Sequence, residues 1–160
     1  MTLPCGCVVL GLGNPLRGDD GVGLAVAGAL ARLLGNDPVE GVRVATSERG
    51  GLDVLPLIEG ARAAIVVDCL EGETEQPGRA HWLSEAEMDG SVRLRGAHDL
   101  DLPNVLKLGS ALGMHMPETM EVLGIEACPG PDIDDRLSPP VAAAVDRIAA
   151  LLHAYLINRG

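Results

Sequence analysis

Short apolar runs alternate with stretches where apolar residues recur every three or four positions, from one end of the chain to the other. Residues 7–12 (CVVLGL) read as a buried strand that runs into a glycine-rich turn. A helical pattern follows Asp19 and Asp20, with Val22, Val26, Ala29, Leu30 and Leu33 on one face and a stop signal at Gly35 and Asn36. Residues 42–46 predict a second strand, and a short helix is expected around 52–59 after the Gly50-Gly51 pair. AAIVV at 63–67 has the strongest strand character, and Asp68 is expected to close it. A polar loop at 71–78 precedes a strand candidate at 79–83, and 84–90 reads as irregular. Residues 102–112 predict a helix with Pro103 early, where a missing N–H costs little. Residues 119–127 predict a strand and 129–135 an acidic loop. Ser138, Pro139 and Pro140 open a final amphipathic helix to about residue 157.

This alternation predicts one α/β domain over residues 1–160, a three-layer αβα arrangement with a mostly parallel central sheet and helices on both faces. In such sheets the site lies in the crevice at the carboxyl ends of the strands. The residues that follow Leu12, Thr46 and Val67 are therefore the ones to weigh.

Composition narrows the partners. The chain has no Phe, one Trp and one Tyr, so its core must be aliphatic and it lacks stacking platforms for single-stranded nucleic acid. A net charge of −11 repels phosphate backbones and anionic lipid, which argues against nucleic-acid and membrane partners. Cys5, Cys7, Cys69 and Cys128 form no C-x-x-C pair, and buried, reduced thiols are expected. With no basic segment before the first apolar run, and no apolar stretch approaching the about 20 residues a bilayer needs, a soluble cytoplasmic protein is expected, and a monomer because no exposed apolar helix face is left over.

The first turn superficially resembles a dinucleotide fingerprint. Its glycines, Gly11, Gly13 and Gly18, have the wrong spacing, and Asp19 and Asp20 stand where a pyrophosphate would need the helix N-terminus. The turn has glycines for close backbone approach and charge for a cation. Acids at a helix start also serve as caps, so ordinary capping is the alternative for Asp19 and Asp20. Asp68 should project at the same sheet edge, and His98, in a loop before a helix, can reach it. His81 and His153 have no acidic neighbour at helical or strand spacing. Two carboxylates and an imidazole, Asp20, Asp68 and His98, suit a divalent first-row metal with coordination positions left open.

The stretch GLGNPLRGDDGVG at 11–23 resembles the signature of the hydrogenase maturation proteases, G-x-G-N-x-L-x-x-D-D-G-x-G, at every fixed position. VVDCL around Asp68, HDLDLPNVL from His98, and LSPPV at 137–141 resemble further family segments in the same order. The resemblance implies an endopeptidase that trims a C-terminal extension from the precursor of a nickel-iron hydrogenase large subunit after nickel insertion. It implies that the precursor's nickel is the recognition element, contacted by Asp20, Asp68 and His98, which would also be the catalytic residues. Some members carry Glu at the Asp20 position. Gly11, Gly13, Asn14 and Asp19 are expected along the substrate cleft, and no organic cofactor is implied. The competing readings are a non-catalytic nickel-binding chaperone, a metal-dependent peptidase of another substrate, and a nucleotide-binding module.

Overall fold

The computed structural model describes residues 5–84, 87 and 102–159. Five strands form one sheet: β1 (Cys7–Leu12), β2 (Val42–Ser47), β3 (Ala63–Glu71), β4 (Ala80–Trp82) and β5 (Thr119–Ala127). Their order is β2-β1-β3-β5-β4; the first four run parallel, and β4 is antiparallel to β5 at one edge. Among the described residues the α-helices with defined bounds are α1 (Val22–Asn36), α2 (Leu55–Ile58), α3 (Leu102–Ala111) and α4 (Pro139–Arg159). Short 3-10 turns, Gly18–Gly21 and Gly51–Val54, lead into α1 and α2. The expected αβα layering is therefore observed.

The sheet separates two apolar layers. Odd-numbered strand residues such as Cys7, Val9, Ile65, Val67 and Ile125 pack with Val22, Val26 and Leu30 of α1 and Val141, Ile148 and Leu152 of α4. Even-numbered ones, Val8, Leu10, Ala64, Val66 and Val122, pack with Val54, Leu55 and Ile58, and with Leu102 and Val105 of α3. Parallel strands buried on both faces need continuous apolar sequence, which is why β1 and β3 read so clearly.

Four expectations are corrected. Asp68 does not close its strand: β3 continues to Glu71, because β5 pairs with it over all nine residues. The last helix, 21 residues with an 18-residue stretch of mean hydropathy 1.4, is long and apolar enough to cross a membrane, contrary to the reading of short apolar stretches. Its buried positions pack against the sheet and α1, as a core helix does. The cysteines are not uniformly buried: Cys7 and Cys69 are, whereas Cys5 is half-buried and Cys128 exposed. In the segment read as irregular, Ser84 and Glu87 exchange side-chain-to-backbone hydrogen bonds in a reciprocal capping box, and Glu87 is helical. The S-x-x-E spacing carried that signal.

Candidate active site

The chain leaves β1 toward one side, through α1 to β2, and later builds β3 and β5 on the other side. The carboxyl ends of β1 and β3 thus flank the switch point where a ligand crevice opens. Close packing sets this seam. A Cβ on Gly23, in the first turn of α1, would lie 2.3 Å from the Leu12 carbonyl oxygen and 2.4 Å from that of Val67. One on Gly11 would lie 2.4 Å from the Gly23 carbonyl oxygen. Only glycine lets helix and strands meet this closely. Gly13, at φ +154°, has the Asp20 carbonyl oxygen 2.1 Å from its absent Cβ. The close approach these glycines allow is thus between segments of the chain itself. Asn14 closes the turn by accepting a hydrogen bond from Leu16 N–H through Oδ1 at 3.0 Å.

The 3-10 turn after β1 carries Asp19 and Asp20, both buried, and packs against β3. Asp68 is wholly buried, one residue beyond the last β3 residue paired with β1. By strand alternation it faces the α2–α3 layer with Val66 and Leu70. Its Oδ1 accepts the Cys69 N–H at 2.8 Å. Burial pushes the Cys69 thiol far above its ordinary value, and the charges of Asp68, Asp20 and Asp19 add to the shift. The turn that carries Asp20 thus lies against β3, the strand that carries Asp68. His98 lies outside the described residues. Among the described residues no cluster of three or more potential metal ligands occurs.

Asp19 has a separate set of contacts. Its Oδ1 accepts the Ser138 N–H at 2.6 Å and its Oδ2 accepts the Ser138 hydroxyl at 2.8 Å. Ser138 was legible as the start of the last helix; its tie to a residue 119 positions earlier was not. His81 also departs from its sequence reading. It has an acidic partner from β5, with Nε2 2.7 Å from Glu126 Oε1, while Thr74 donates to the other carboxylate oxygen at 2.7 Å. Only the β4–β5 pairing, invisible to local spacing, juxtaposes them.

A doubly wound, mostly parallel sheet with the buried carboxylates of Asp19, Asp20 and Asp68 near its switch point defines the α/β class of this protein. A sequence profile of the hydrogenase maturation protease family (HycI) matches residues 35–154. The chain belongs to this family and is a peptidase of that class. The match begins after the Gly11–Gly23 signature, so the two signals cover different parts of the chain. Solved structures agree in fold. The hydrogenase maturating endopeptidase HybD from E. coli superposes with TM-score 0.72 at 21% identity, covering 97% of this chain and 94% of its own. The [NiFe] hydrogenase maturation protease HycI from Thermococcus kodakarensis KOD1 gives 0.68 at 19%, covering 96% and 93%. HybD from Thermococcus kodakarensis gives 0.66 at 24%, covering 94% and 99%. None of the curated proteins matches the sequence.

Proposed function

We propose that this peptidase removes a C-terminal extension from the nickel-loaded precursor of a nickel-iron hydrogenase large subunit, and that the bound nickel is what it recognises. The observation that carries the reading is the pair of buried carboxylates, Asp20 and Asp68, at the β1–β3 crevice of a chain in this family. Ionised carboxylates in a low-dielectric setting attract a divalent cation strongly, and oxygen and imidazole donors are suitable nickel ligands. Asp20, Asp68 and His98 then contact the nickel held in the precursor. Nickel arrives with the substrate as its cargo. The grip fixes the scissile bond against the crevice, and the metal polarises the carbonyl or the attacking water. Asn14 and the turn from Gly11 to Gly13 border the path of the extended tail. We place the reaction in the cytoplasm, with the enzyme acting as a monomer.

The test mixes purified protein with a nickel-loaded large-subunit precursor and follows loss of a C-terminal peptide by mass spectrometry, with nickel-free precursor alongside. Cleavage of the loaded form alone is the expected outcome. Equal cleavage of both forms removes nickel recognition from the proposal. Tight binding without cleavage replaces processing with a chaperone role.

A further inference from the structure

In sequence Asp19 and Asp20 look like equivalent carboxylates at one turn. Their surroundings divide them. Asp19 is buried, and both its oxygens are engaged by Ser138, through the backbone N–H and the hydroxyl. Ser138 also begins α4, its carbonyl accepting the Ala142 N–H at 2.8 Å. Pro139 and Pro140 fill the first two helix positions, so neither offers an N–H to the Ser138 side chain. The hydroxyl donates to Asp19.

A backbone strap lies beside this contact. Asp134 N–H donates to the Leu16 carbonyl at 3.0 Å, and Gly18 N–H donates to the Asp134 carbonyl at 2.6 Å. Arg17 and Asp134 thereby form a parallel bridge. On the other side the Asp20 backbone sits against Gly13. The turn carrying Asp20 is therefore held between β1 and the segment that leads from β5 into α4.

We propose that Asp19 is a positioning residue: by clamping Ser138 it fixes the turn that aims the Asp20 carboxylate, and it makes no contact with nickel or substrate. The proposal rests on the processing function for its kinetic test and on geometry alone for its spectroscopic one.

Four variants separate a clamp from a ligand. Asp19→Ala removes both hydrogen bonds, Ser138→Ala one, and Ser138→Thr neither; Asp19→Asn keeps an acceptor but loses the charge. Misplacing a supporting group typically lowers activity about 10–100-fold. For a clamp, kcat on nickel-loaded precursor falls about 100-fold in Asp19→Ala and about tenfold in Ser138→Ala, with KM within about twofold. Ser138→Thr matches the wild type, and Asp19→Asn outperforms Asp19→Ala. If both Asp19 variants are equally inactive while Ser138→Ala matches the wild type, Asp19 acts through its charge and the clamp is overturned.

Amide NMR spectra of the wild type and Ser138→Ala give the second measurement, with no precursor present. The clamp predicts shifts at Asp20, Gly21 and Asp68 as well as around residue 138. Shifts confined to residues 138–142 overturn it. A wild type that leaves the precursor uncut defeats the processing function, and the NMR comparison still decides the clamp.

Discussion

The two faces of the sheet are built differently. Against the odd-numbered strand residues lie two long helices, α1 and α4, which also pack on each other. Against the even-numbered residues lie the four-residue α2, the ten-residue α3 and half-buried methionines 114 and 116. Asp68 faces this second, more irregular layer. The first face is a scaffold; the second is the one toward which the proposed site residue Asp68 points. A regular, well-packed frame on one side lets the other be assembled from short elements and loops.

The comparison breaks most severely at the seam. Gly23→Ala places a Cβ against two backbone carbonyls that cannot move independently of the sheet. We expect a loss of about 3 kcal/mol or more, or no folded protein, by chemical denaturation. On the scaffold face, Leu152→Ala deletes a fully buried side chain, and the same measurement should show about 2–5 kcal/mol lost. Asp68→Asn should do the reverse, with a folded protein by circular dichroism but processing reduced at least about 100-fold, worth about 2.7 kcal/mol in the barrier. An asparagine oxygen still accepts the Cys69 N–H. Processing at the wild-type rate would remove Asp68 from the site.

Smaller effects sharpen the contrast. Cys128 should react with a thiol reagent at once, and Cys69 only on unfolding. Because burial raises the Cys69 value above 9.0, its contribution to stability is complete below pH 9.0 and is lost as pH climbs through the raised folded value. A Cys69→Ala comparison of alkaline denaturation reads that term. Smallest is Glu126→Gln at the sheet edge. The Thr74 hydroxyl, then the His81 ring, hold this carboxyl below its ordinary value of 4.5. Its contribution is present above pH 4.5 and lost as pH falls through the lower folded value; the variant should lose less than about 1 kcal/mol at neutral pH and show a flatter acid limb.

Local pattern made the scaffold face legible. β1 and β5 fall at the expected boundaries and α1 follows its predicted stripe, because burial on both sides of a strand, or along one face of a helix, leaves a periodic trace. The length of β3 was less legible: its last residues, Asp68 to Glu71, are held by pairing with β5, a contact no window along the chain contains. The candidate site divides the same way. Asp20 and Asp68 could be named from motif and strand position. The partners of Asp19 and His81 could not, since each is joined to a distant segment by tertiary geometry.

The 119-residue separation between Asp19 and Ser138 bears on how the protein comes into being. The turn that aims Asp20 leaves the ribosome among the first two dozen residues, yet its fastening follows only after β5 has been made. Long-range closure of this kind is entropically costly and forms late. A nascent chain therefore carries both carboxylates well before it can hold Asp20 in place, and cleaving competence arrives with α4.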